Sequence, residues 1–176
     1  MLTPTWRGEN GNPGAFELLY GEVDDLAAAV RTLAVTPGVD GGRVYDFGHS
    51  VGGGLSALLA LNPDVPLRAS GSAGGLFFPT FERWRKSRVR FPLEDRLEQE
   101  LRVMLPHMDE LVRPHIAYMG EQEIPAKTFA AIAAQAARVG SRLRLARVRG
   151  NHSTALAPAI RHFISIIRKD AFREAN

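Results

Sequence analysis

Gly48-His49-Ser50-Val51-Gly52-Gly53-Gly54 is the stretch on which the reading of this chain turns. It follows Arg43-Val44-Tyr45-Asp46-Phe47, a run with β-branched and aromatic character that reads as a strand. It precedes Leu55-Ser56-Ala57-Leu58-Leu59-Ala60-Leu61, an apolar run that reads as a buried helix stopped by Asn62-Pro63. Strand, glycine-rich turn and helix is therefore the local order.

Three chemistries use such a turn. A phosphate-binding P-loop needs Lys and Ser/Thr after its last glycine, but Gly54 is followed by Leu55 and Ser56, so no ammonium is present for the phosphates. A dinucleotide site fits the G-x-x-x-G-x-G spacing found in short-chain dehydrogenases, and a dinucleotide-binding protein of that kind stays as a lesser alternative. Against it, none of Tyr20, Tyr45 or Tyr118 has Lys four residues later, and a helix and a long loop precede the turn. The third reading is the nucleophile elbow G-x-S-x-G, met as Gly48-His49-Ser50-Val51-Gly52. There Gly48 and Gly52 are expected to avoid side-chain clashes around a strained Ser50, and the Val51 N–H is expected to face a developing oxyanion.

Outward from the elbow the chain alternates strand and helix. A helix is expected from about Gly21 to Leu33, with Glu22, Asp24 and Asp25 in the first turn where the helix dipole favours anions. Further strands are expected over Leu67 to Ser72, closed by Gly74-Gly75, over Pro114 to Met119 and over Leu143 to Val148. Helices are expected from about Leu93 to Leu111, from Ala126 to Val139 with Gly140 ending it, and from Ala155 to Ile167. The expected fold class is α/β, a mostly parallel sheet with helices on both faces, in one domain over 1–176 with a pocket-lining or cap-like insertion at 76–111.

A serine hydroxyl needs a base, and the base needs an orienting carboxylate, in the chain order serine, acid, histidine. His152 in Gly150-Asn151-His152 follows one expected strand, and Glu123 in Gly120-Glu121-Gln122-Glu123 follows another, with Glu121 as competitor for the acid. All three sites then fall at the C-terminal edge of a parallel sheet, where ligands gather in open α/β folds. His49, His107, His115 and His162 are read as satisfied packing or surface histidines. No two histidines share the helical spacing of a zinc site, so neither metal nor cofactor is expected.

Composition sets the outer limits. The 176 residues are 45% apolar and 23% charged with a net charge of +3, which excludes intrinsic disorder. There is no cysteine, which excludes disulfide scaffolds and thiol nucleophiles and agrees with a cytoplasmic location. The N-terminus lacks the layout of a secretion signal, and Leu55 to Phe78, the most apolar region, is interrupted by Asn62, Pro63, Asp64, Pro66 and Arg68, so no membrane association is expected. The run Arg83 to Arg90 is read as a solvated face rather than a nucleic-acid site. Arg142, Arg144, Arg147 and Arg149 alternate with apolar residues as on a charged sheet edge.

These residues resemble the α/β-hydrolase superfamily, and within it the catalytic domain of prolyl oligopeptidase-like serine hydrolases. The likeness rests on Arg7-Gly8-Glu9-Asn10-Gly11 followed by Gly21-Glu22-Val23-Asp24-Asp25, the elbow at Ser50, Gly120-x-x-Glu123 and Gly150-Asn151-His152, and spans about Pro4 to Ile167. It implies Ser50 as nucleophile, His152 as general base and then acid, Glu123 as the orienting carboxylate, and an ester or peptide substrate cleaved through an acyl-enzyme. Relatives usually carry Asp where Glu123 stands, and have several strands and a His-Gly-Gly-like oxyanion loop ahead of the Arg-Gly segment. The chain is accordingly expected to be short at its N-terminus. Loss of one oxyanion donor costs on the order of 3 kcal/mol. That makes a catalytically impaired remnant, acting as a binding or pairing module, the alternative function. An unpaired sheet edge further implies a homo-oligomer. The aromatics Phe77, Phe78, Phe81, Trp84 and Phe91 are candidates for an apolar pocket wall or for ordinary packing.

Overall fold

The computed structural model of the chain describes residues 1–78, 81 and 91–169. The run Arg83 to Arg90, with Trp84, lies outside the described residues. In chain order the elements are α1 (Gly21–Ala34), β1 (Tyr45–His49), α2 (Val51–Leu59), β2 (Ala69–Ala73), α3 (Arg96–Glu100), β3 (His115–Gly120), α4 (Ala126–Arg138), β4 (Leu143–Val148) and α5 (Leu156–Arg168). The four strands form one parallel sheet in the order β1-β2-β3-β4.

Strand alternation divides the core in two. On one face Ala117 and Met119 of β3 meet Leu26 and Val30 of α1, Leu55 and Leu59 of α2 and Ile132 and Ala136 of α4. On the other face Phe47, Ala69, Ala73, Ile116 and Tyr118 pack on Ala159 and Phe163 of α5. Helices thus cover both faces, as the sequence pattern predicts. The edges are β1 and β4, and on β4 Arg144 and Arg147 are exposed among better covered neighbours, which places charge on that edge.

Three elements depart from expectation, β2 among them, which begins at Ala69 rather than Leu67. The first strand begins two residues late, because the Asp40 carboxylate accepts from Gly42 N–H and winds Gly41–Arg43 into a 3-10 turn. The helix expected over Leu93 to Leu111 is only α3, capped by the Asp95 carboxylate, followed by a 3-10 turn over Leu105–Glu110. Arg102 explains the break. Its side chain is buried, lies 3.8 Å from the Phe91 ring and 5.0 Å from the Tyr20 ring, and donates to the Glu98 carboxylate and to the Glu98 and Glu17 carbonyls. A residue that reads as helix surface is thus drawn inward by cation–π contacts, and Pro106 enters in the first turn of the 3-10 element, where its missing N–H is tolerated.

The N-terminal segment is clamped to α1. Arg7 Nε and Nη2 bond both carboxylate oxygens of Asp25 at 2.9 and 2.8 Å, its backbone N–H donates to the same carboxylate at 2.9 Å, and Nη1 reaches Glu17 at 3.2 Å. That guanidinium holds the Asp25 carboxyl below its ordinary value. A Cβ at Gly21 would lie 2.0 Å from Arg7 Nη1, so glycine is required there for the clamp to close. Glu22, fully buried, accepts from Glu17 N–H at 2.5 Å and Tyr20 N–H at 3.2 Å. Of the first-turn acids, two therefore hold the preceding loop rather than only answering the helix dipole.

Candidate active site

Ser50 sits between β1 and α2 at φ 56°, ψ −118°, a backbone conformation unfavourable for a residue with a side chain. Its N–H donates to Ala73 O of β2 at 3.0 Å, and its carbonyl accepts from Gly54 N–H at 3.1 Å in the first turn of α2. The turn is tight because Gly48 has no side chain: a Cβ there would lie 2.0 Å from Gly52 O. Gly53 is similarly constrained, with a Cβ 2.9 Å from Gly75 Cα. Gly52 differs from the sequence expectation, since a Cβ there would meet open space. The helix carries Gly52 away from its neighbours, and the crowding falls on Gly48 and Gly53 instead.

His152 follows β4 on a loop held by Asn151, whose side-chain oxygen accepts from the N–H groups of Ser153 and Thr154 at 3.1 and 3.0 Å. Its Nδ1 lies 2.8 Å from Glu123 Oε1. The other Glu123 oxygen accepts from Gly120 N–H at 2.6 Å, so the carboxylate is oriented from both sides. Glu121 is exposed, its backbone N–H bonded to Val148 O, and its carboxylate is not engaged with His152. The structure thus brings Glu123, and not Glu121, to the imidazole. The reach of the longer glutamate arm is accommodated because Gly74 and Gly120 leave room: a Cβ at Gly74 would lie 2.7 Å from both Glu123 Oε1 and His152 Nδ1, and one at Gly120 would lie 2.9 Å from Glu123 Oε2.

Ser50 and His152 share the C-terminal edge of the sheet without a hydrogen bond between their side chains. The link between their segments runs through His49, which the sequence reading treats as packing. His49 Nε2 lies 2.9 Å from the His152 carbonyl oxygen, and the two rings are 4.8 Å apart between centroids. Sequence reasoning had no signal for this contact or for the role of Gly74, which reads only as a strand-closing glycine.

Beside the dyad lies a recess of about 190 Å³ lined by Leu76, Phe77, Phe78, Met119 and Ile124 along with Glu123 and His152. Phe77 and Phe78 thus belong to a pocket wall, whereas Phe81 and Phe91 pack edge-to-face on each other with Leu18 and Val103.

The remaining histidines are engaged elsewhere. His107 faces Glu110 at 3.2 Å and His162 bonds the Tyr118 hydroxyl at 2.9 Å. His115 is fully buried between Ser70 Oγ at 2.7 Å and Ser72 Oγ at 2.8 Å, and burial pushes it down to about 3, so it is neutral and ties β2 to β3. Among the described residues no three His, Asp or Glu side chains are grouped to hold a metal ion, and no helix is long and apolar enough to cross a membrane.

No protein-family model matches the chain, and no curated protein matches it. Solved structures do. An esterase from Thermogutta terrifontis with butyrate bound superposes at a TM-score of 0.64 and 18% identity, over 92% of this chain and 69% of that one. Porphyromonas gingivalis dipeptidyl peptidase 4 matches at 0.67 and 18% identity, over 90% of this chain and 23% of the peptidase. Pyrococcus horikoshii acylaminoacyl peptidase matches at 0.59 and 17% identity, over 80% of this chain and 25% of that one. The chain therefore spans about two thirds of the esterase and about a quarter of either peptidase. The fold is the one these α/β-hydrolases share.

Proposed function

We propose that the chain is a serine hydrolase acting on an ester or peptide bond through Ser50, His152 and Glu123. The observation that carries this reading is the strained Ser50 elbow at the same sheet edge as a His152–Glu123 pair 2.8 Å apart. In this account His152 Nε2 accepts the Ser50 hydroxyl proton as Oγ attacks the substrate carbonyl, and Glu123 holds the imidazole with its proton on Nδ1. The N–H of Val51, at the first position of α2, donates to the oxyanion. His152 then returns the proton to the leaving group, and water hydrolyses the acyl-Ser50 ester by the same steps in reverse. The Ser50–His152 hydrogen bond forms as substrate closes on the site, since such bonds are often open in unliganded enzymes.

The apolar recess beside His152 supports a small, uncharged substrate group. A p-nitrophenyl butyrate assay of the parent and of Ser50→Ala tests the reading. Saturable turnover abolished by the substitution is the expected result, and equal background rates for both favour the binding-module alternative.

A further inference from the structure

At the opposite end of the sheet, the N-terminal ends of the strands enclose a recess of about 230 Å³. Arg68, Arg113 and Arg142 line it, with Arg68 immediately before β2, Arg142 immediately before β4 and Arg113 two residues before β3. Their backbones are fixed by the sheet and its flanks: Arg68 N–H donates to Val44 O at 2.8 Å, Arg113 N–H to Ala60 O at 3.1 Å, and Arg142 O accepts from His115 N–H at 3.2 Å.

No carboxylate answers these guanidinium groups, since none of the three forms an ion pair among the described residues. Asp40, on the turn that supplies Gly41 and Gly42 to the lining, has a carboxylate oxygen engaged with Gly42 N–H at 3.0 Å. Arg113 Nη2 reaches Pro63 O at 3.3 Å, but its Nε is buried with no acceptor. A buried donor without a partner is costly, and three like charges around one recess repel unless an anion joins them. Guanidinium forks match tetrahedral oxyanions, and the rest of the lining, Leu67 and Val112 among it, brings no carboxylate to compete with one.

We propose that this recess binds a phosphate dianion, either free or as the head group of a small phosphomonoester, at a site separate from the Ser50 edge. The site stands independently of any hydrolase activity.

Isothermal titration of the full chain with inorganic phosphate and with phenyl phosphate, at ionic strength held constant with sodium chloride, tests it. Saturable binding is expected, weakened about tenfold or more in Arg142→Gln and in Arg68→Gln, as befits loss of a charge-assisted hydrogen bond. Arg144→Gln, on β4 but outside the lining, is expected to bind as the parent does. Tighter binding of phenyl phosphate identifies the monoester as the ligand type, and equal binding identifies the free anion. Arg142 is exposed, so its variant keeps the test readable even if Arg68→Gln fails to fold. Absence of saturable binding, or an equal loss in Arg144→Gln, overturns the proposal.

Discussion

A Cβ placed on Gly74 would stand 2.7 Å from His152 Nδ1 and the same distance from Glu123 Oε1, which makes the glycine a spacer for that pair. Its φ of +54° adds a backbone reason for glycine at the end of β2. Gly74→Ala is expected to lower kcat for an activated ester by about 100-fold or more, because displacement of a catalytic group by an ångström has that scale. The melting temperature should fall by only a few degrees. Steady-state kinetics and thermal denaturation check both.

Glu123 and Glu121 separate cleanly in the same assay. Glu123→Gln keeps the side-chain shape but removes the charge that supports the imidazolium, and is expected to cost on the order of 10³–10⁴ in kcat. Glu121→Gln, at an exposed position, should leave kcat within about twofold of the parent.

His49 is expected to position the loop that carries His152, through its Nε2 contact with the His152 carbonyl. Glutamine places an amide N–H where the imidazole Nε2 stands, whereas phenylalanine keeps a ring and loses the donor. His49→Phe should therefore lower kcat about tenfold with little change in KM, and His49→Gln should restore most of it. Equal losses in both variants contradict the positioning role.

Asp46, on β1, is raised from 3.8 to about 6, mainly by burial, against the smaller opposing effects of the Ser56 hydroxyl and the Phe47 N–H; its Oδ2 is buried without a partner. The folded protein thus holds a proton between those values that the unfolded chain has released, so this group contributes stability at low pH that is lost as pH rises through about 6. His115 acts in the opposite sense, since its folded value is pushed down from 6.5 to about 3, and its contribution is complete above 6.5 and lost as pH falls. Asp46→Asn isolates the first effect. Urea denaturation should find the variant more stable than the parent by about 1–3 kcal/mol at pH 7, with the difference gone at pH values below 3.8.

The recess beside the dyad sets the expected substrate preference. Its aromatic and aliphatic walls and a volume near 190 Å³ favour a short, neutral acyl group. The kcat/KM for p-nitrophenyl butyrate should exceed that for the dodecanoate and for a carboxylate-bearing ester by about tenfold, the scale of a few methylene groups or one unpaired charge. Equal values for all three contradict this assignment.

Much of this was legible in the residues. The run Leu143 to Val148 reads as a strand and is β4 without adjustment, and Gly140 marks the end of α4 because only a backbone free at positive φ turns there easily. The elbow was legible because its chemistry demands small residues at fixed spacing. The late start of β1 comes from a local bond, the Asp40 carboxylate accepting from Gly42 N–H, whereas other features escape the sequence because a polar group is buried by distant partners. Arg102 looks like a helix surface residue until Phe91 and Tyr20 are seen around it, and Ser70-Gly71-Ser72 looks like an indifferent strand until His115 fills the space between the hydroxyls. Likewise His49 and Gly74 act on a histidine that lies far along the chain. Local pattern cannot report such pairings.

The central claim is that Ser50, His152 and Glu123 act as one unit, and labelling with a fluorophosphonate probe followed by mass mapping tests it most directly. The account predicts stoichiometric modification at Ser50, absent in Ser50→Ala and strongly slowed in His152→Ala, with both variants folded by circular dichroism. A folded parent chain that resists the probe, or one labelled equally well in His152→Ala, would contradict it.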